Sequence, residues 1–142
     1  MKAIKTLMIG AVAAVSLSTT AMASNLTIKT NNVDQVINVM CGKDAGSEKD
    51  TGYPINPGQD RTMAFLLIKI ALGSDIWCDF FENGTDIGTA HFLVGSTAAT
   101  VAFHENKDPA HFDVAIAKGD GSILDDGVTA NDIHVTLTKK VA

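Results

Sequence analysis

Beyond residue 24 the chain alternates short apolar runs with clusters of Gly, Asn, Asp and Pro, a rhythm that predicts many short strands joined by turns. Leu26-Thr27-Ile28-Lys29-Thr30 alternates apolar with polar and stops at Asn31-Asn32. A second run takes in Val33 and then Gln35 to Cys41, with Val36, Ile37, Val39 and Cys41 apolar. Residues 42–52 hold three glycines and no core residue, and read as a polar loop. Tyr53 to Ile55 follows as a short strand, and Asn56-Pro57-Gly58 as a turn with proline at a corner position.

Thr62 to Leu72 is the most hydrophobic stretch of the domain. Its periodicity fits a buried helix or a strand, and its length and the flanking Pro-Gly and Gly-Ser pairs favour a central strand. Asp75 to Phe81 alternates cleanly, with Ile76, Cys78 and Phe80 on one side and Trp77 and Phe81 on the other. Asn83-Gly84 is a strong hairpin signal. Ile87 to Val94, Ala98 to Glu105 and His111 to Ala117 supply three more strands. Gly119-Asp120-Gly121-Ser122 and Asp125-Asp126-Gly127 bracket a turn-rich stretch, and Ile133, Val135, Leu137 and Val141 mark the last strand. Pro54, Pro57 and Pro109 all fall at turns or strand edges, where a missing N–H does no harm. With no repeat, linker or low-complexity tract, residues 24–142 read as one all-β domain. The expectation is a single antiparallel β-sandwich of about seven to nine short strands.

The first 23 residues have a different grammar. Lys2 and Lys5 precede an apolar, alanine-rich run from Leu7 to Leu17, and Ala21-Met22-Ala23 has the small–any–small pattern that signal peptidase reads. The expected cleavage falls between Ala23 and Ser24. The run is shorter than the roughly 20 residues a membrane span needs, so a removable export leader is expected and a stable membrane anchor is not. No cysteine lies at the cleavage point to carry a lipid. The short alanine-rich leader looks bacterial, which predicts a periplasmic or secreted protein. In that setting the sequon-like Asn25-Leu26-Thr27 and Asn83-Gly84-Thr85 stay unmodified.

Export changes the reading of the cysteines. Cys41 and Cys78 are the only two and both lie in the domain, so an oxidising compartment predicts one disulfide. Closing the loop between them is worth about 4 kcal/mol on loop-entropy grounds. Charge narrows the partners. All 16 acidic residues lie beyond the leader with 9 of the 11 basic ones, which leaves the domain at −7. Such a surface repels phosphate backbones and anionic membranes, and nucleic acid is not an expected partner.

Candidate chemistry is sparse. His91, His104, His111 and His134 lack the close spacing that places two metal ligands on one face. Only His104, Glu105, Asp108 and His111 have a prospect of meeting across a turn to hold Zn²⁺ or Cu²⁺. Asp120, Ser122, Asp125, Asp126 and Asp132 offer oxygens for Ca²⁺, but Leu124 occupies the fifth position of a loop begun at Asp120, where a ligand belongs. No nucleophile elbow, phosphate loop, dinucleotide fingerprint or His-Glu-x-x-His occurs. The carboxylates are too many for any glycosidase-like pair among them to be specific. Trp77, beside Cys78, is expected as a core or interface aromatic rather than a sugar platform.

One resemblance runs through residues 26–94. Ile37-Asn38-Val39-Met40-Cys41, the polar stretch Gly42 to Gly52, Asn56-Pro57-Gly58-Gln59, Met63-Ala64-Phe65 and Ile76-Trp77-Cys78-Asp79-Phe80, preceded by Thr27-Ile28-Lys29-Thr30-Asn31-Asn32, resemble the plant self-incompatibility protein S1 family of small secreted β-sandwiches. The family commonly has further cysteines towards its C-terminus, and none follows Cys78 here. The resemblance implies a secreted ligand or binding module without catalytic residues, and carries over only Cys41 and Cys78, as structural residues. The leading expectation is thus an exported binding or interaction module with no cofactor. It would recognise a protein or small ligand through loops 42–52 and 82–88, because loops carry function on such scaffolds. A metal-binding exported protein is the alternative, followed by a small hydrolase or hydrolase inhibitor.

Overall fold

A computed structural model describes residues 24–43 and 51–141; the expected export leader with its expected cleavage position at Ala23, residues 44–50 of the expected polar loop, and residue 142 lie outside the described residues. In chain order the elements are β1 (Asn25–Asn31), β2 (Ile37–Gly42), β3 (Thr51–Ile55), β4 (Arg61–Ala64), α1 (Phe65–Leu72), β5 (Asp75–Glu82), β6 (Thr85–Val94), β7 (Ala99–Asn106), β8 (Phe112–Lys118), β9 (Thr129–Ala130) and β10 (Asp132–Lys139). They form a six-stranded sheet in the order β9-β7-β6-β5-β2-β3 and a four-stranded sheet in the order β4-β1-β10-β8. The all-β sandwich is as expected. The described residues hold ten strands rather than seven to nine, the two-residue β9 among them.

Two features depart from the simple pattern. The segment expected as a central strand, Thr62 to Leu72, is a short strand followed by a helix. Its buried residues Phe65, Ile68 and Leu72 recur at helical spacing, whereas a strand would have set Lys69 on the same face as Phe65. Leu, Lys and Ala are also good helix formers. The Phe65 N–H donates to the Ser24 carbonyl (2.8 Å) at the start of α1. At its end Gly73, at φ +96°, donates its N–H to the Lys69 carbonyl (2.8 Å). The outward face of α1 leaves Leu66, Leu67 and Ile70 exposed. The second departure is that β1 and β10 pair in parallel, Asp132 opposite Asn25 through Thr138 opposite Asn31. Neighbouring parallel strands cannot be joined by a tight turn, and here nearly the whole domain lies between them.

The core lies between the sheets. Ile133, Val135 and Leu137 of β10 share it with Val39 of β2 and Phe80 of β5, and Phe65, Phe92 and Phe112 complete a fully buried aromatic set. The disulfide forms as expected. Cys41 and Cys78 are directly opposed on β2 and β5, with their Cα atoms 4.0 Å apart, and both are buried. Asn83 and Gly84 both have positive φ (51° and 83°), the conformation of a two-residue type I′ turn. The expected recognition loop 82–88 is therefore mostly strand. Only 83–84 separate β5 from β6, because this turn returns the chain at once into the ladder. No helix among the described residues is long and apolar enough to cross a membrane.

Candidate functional site

Because Ile76, Cys78 and Phe80 of β5 enter the core, Trp77 and Asp79 stand on the solvent face of the six-stranded sheet. Cross-strand register extends each of them into a row. Trp77 is opposite His91 on β6, and His91 is opposite Phe103 on β7. One step along, Asp79 is opposite Thr89, which is opposite Glu105. An aromatic row thus lies beside an acidic row across three adjacent strands.

Two β-bulges make this face. Gly88 pairs with Phe80 and Asp86 with Phe81, so Ile87 is an extra residue, and Asp86 is turned outward where strict alternation would have buried it. His91 pairs with Phe103 and Phe92 with Val101, so Ala102 is extra. Without that insertion Phe103 would follow Ala99 and Val101 into the core; with it, the ring faces solvent at 40 % exposure. Bulges re-aim side chains in this way and recur beside functional sites. The Ile87 carbonyl accepts the Lys107 N–H (3.1 Å), which brings Lys107 over the same face.

The result is an open groove of about 310 Å³ lined by Trp77, Asp79, Asp86, Thr89, Phe103, Glu105 and Lys107, a volume at the small end of ligand sites. Its aromatic wall is held in place. His91 stacks on Trp77 with ring centroids 3.8 Å apart and planes within 9°, and His91 Nε2 donates to Asp75 Oδ1 (2.5 Å). Phe103 meets Trp77 at 6.3 Å with a 46° tilt, which leaves an angled aromatic surface. Its polar floor is a network. Thr89 Oγ1 donates to Asp79 Oδ1 (2.5 Å), Gly88 N–H donates to Asp86 Oδ1 (3.1 Å), and Lys107 Nζ donates to Asp86 Oδ2 (3.0 Å) while lying 3.9 Å from Asp79. Partial desolvation pulls the Lys107 pKa down. The Asp86 hydrogen bond and the charges of Asp86, Asp79 and Glu105 outweigh it and hold the pKa above the ordinary 10.5. Lys107 is a cation throughout the physiological range.

The residues singled out for metal do not share a centre. His104 projects from the opposite face of β7 to Glu105, and its Nδ1 donates to Asp126 Oδ1 (2.6 Å). His111 Nδ1 donates to Asp108 Oδ1 (2.8 Å) just before β8. The oxygen donors considered for Ca²⁺ are likewise dispersed. Asp120 accepts the Ser122 N–H within its own turn, Asp126 is paired with His104, and Asp132 lies against His134 (3.2 Å). Among the described residues no group of three or more His, Cys, Asp or Glu side chains is placed to hold a metal ion. Of the expected metal ligands only Glu105 lines the groove, and Asp86 of the expected recognition segment 82–88 joins it. Trp77, expected as a core or interface aromatic, is half-buried on the solvent face. Thr89, Phe103 and Lys107 carried no sequence signal, since the bulges that place them break the alternation by which faces are assigned.

No family model and no curated protein matches the chain. Among solved structures it is similar to the RahU protein, determined in complex with a TRIS molecule, at 9 % identity and a TM-score of 0.47, over 85 % of this chain and 98 % of that one.

Proposed function

We propose that this is an exported, non-catalytic binding module that takes its ligand on the solvent face of the six-stranded sheet. The observation that carries the reading is the aromatic row Trp77–His91–Phe103 beside a hydrogen-bonded carboxylate–lysine network, with two bulges turning Phe103 and Asp86 into the same groove. Scattered exposed apolar residues are ordinary, but contiguous aromatic side chains rimmed by polar groups favour an interaction surface, and this supports a recognition role. The leader-like pattern of residues 1–23 and the buried disulfide support export. The S1-like stretch is in keeping with a binding role. Asp79 and Asp86 are both engaged by Lys107, which suits a structural part in a binding surface.

Trp77 is the sole tryptophan, so its emission reports on the site directly. Soluble sugars, quaternary amines and short peptides are titrated in turn, and each compound is recovered for mass analysis. The expected outcome is a saturable change in Trp77 emission with one class, recovered unchanged. Turnover of the compound contradicts the non-catalytic reading. Silence of Trp77 towards a compound that raises the melting temperature places the site elsewhere.

A further inference from the structure

Resting on that reading, we infer that the ligand is a neutral saccharide, packed by a C–H face of its ring against Trp77 and Phe103 and hydrogen-bonded through its hydroxyls to the Asp79–Lys107–Asp86 network and Glu105. Charge excludes the alternatives first. The groove presents three carboxylates and one ammonium, so phosphate, sulfate or carboxylate groups meet net repulsion. An organic cation gains from the net negative charge of the groove, but the place open to it is narrow. Lys107 lies between Asp86 (3.0 Å) and Asp79 (3.9 Å) and engages both, so that among the described residues Glu105 is the carboxylate of the groove left without a hydrogen bond or close ion pair. A second ammonium placed there faces Lys107.

A wholly apolar ligand fails as well, because Asp79, Asp86 and Thr89 would lose contact with water and gain nothing. What remains is a neutral molecule with one apolar face and groups that both donate and accept. The groove offers donors in Lys107 Nζ, acceptors in the carboxylates, and a Thr89 hydroxyl that donates to Asp79 and can accept from a ligand. A pyranose has that double character: axial C–H groups for an aromatic face, and hydroxyls that give and take hydrogen bonds. The aromatic wall is fixed before the ligand arrives. His91, tied to Asp75 and stacked on the indole, is a positioning residue for Trp77, which reduces the ordering needed on binding. The groove is open, so it accepts a ring within a chain as well as a free sugar.

The test is a titration of Trp77 emission in the full exported protein with glucose, galactose and mannose, with the neutral hexasaccharides of glucose, xylose, mannose and N-acetylglucosamine, and with choline and spermidine. It is repeated for Phe103→Ala, Glu105→Gln and, on the other sheet, Thr136→Ala. The inference expects at least one saccharide to saturate the signal. Phe103→Ala and Glu105→Gln should each weaken it tenfold or more, and Thr136→Ala should leave it within twofold. A response to hexasaccharides but not monosaccharides assigns the site to chains, and the reverse assigns it to free sugar. A response to choline or spermidine and to no saccharide overturns the saccharide assignment and leaves the face as the binding site. Saccharide binding that is undiminished in both groove variants overturns the assignment and the face together. No response to any compound overturns the saccharide inference. Phe103 is exposed and Glu105→Gln is nearly isosteric, so both variants should fold, and a thermal melt verifies it.

Discussion

On the four-stranded sheet the solvent-facing rows read Ala117–His134–Thr27, Ala115–Thr136–Lys29 and Asp113–Thr138–Asn31. On the six-stranded sheet the corresponding rows read Trp77–His91–Phe103 and Asp79–Thr89–Glu105. Both sheets bury the alternate residues equally well, Ile133, Val135 and Leu137 in one and Ile76, Cys78 and Phe80 in the other. The core demands therefore cannot account for what faces outward. The threonine–alanine face is what strand propensity and solubility alone would select. Its hydroxyls are used locally, as in the Thr27–Thr62 contact (3.0 Å). The aromatic–acidic face carries large rings in water, oriented by two bulges, and recognition is the use proposed for it. The sandwich is a scaffold with one plain side and one elaborated side.

The comparison is broken most severely through the elaborated sheet. Phe80 and Phe103 both come from it but lie on opposite faces. Phe80→Ala should cost about 3–5 kcal/mol as a cavity, and Phe103→Ala less than about 1 kcal/mol as a surface change. Urea denaturation measures both, and similar costs would mean that the Ala102 bulge does not turn Phe103 outward. Reduction of Cys41–Cys78 should come next, at about 2–5 kcal/mol. Amide exchange should then rise first in β2 and β5, which the bridge joins, while β1 and β10 keep their protection longer. Uniform acceleration would contradict that assignment.

Lys107→Met is expected to cost about 0.5–1 kcal/mol, since its ion pairs are partly solvated. The sign with pH follows from its raised pKa. The contribution is fully present below the ordinary 10.5 and is lost as pH rises through the higher folded value. The gap between wild type and Lys107→Met should therefore be constant from pH 6 to 9 and close above about 10.5. A gap that closed near neutrality would show that Lys107 is not held by Asp86. The smallest effect belongs to the plain face: Thr136→Ala should change stability by no more than about 0.5 kcal/mol.

Much of this was legible in the residues. The alternation in β1, β5 and β10, the Asn83-Gly84 turn and the two cysteines point directly to a disulfide-linked sandwich. The helix α1 was hidden because Phe65 to Leu72 is apolar nearly throughout, so its period does not separate helix from strand. The groove was hidden for a more general reason. Face assignment assumes a strict period of two, and each bulge resets that count at a residue, Ile87 or Ala102, whose type carries no warning. Phe103 shares the parity of the buried Ala99 and Val101 in the sequence, yet stands in solvent in the fold. Cross-strand neighbours such as Trp77 and His91, distant in the chain, meet only through register.

Amide shift mapping with the neutral hexasaccharides as probes sets the two faces directly against each other. The account predicts saturable shifts at the Trp77 indole N–H and at the amides of Thr89, Phe103, Glu105 and Lys107, with Lys29, Ala115 and Thr136 unmoved. Shifts centred on the Ala115–Thr136–Lys29 row, with Trp77 still, would contradict it.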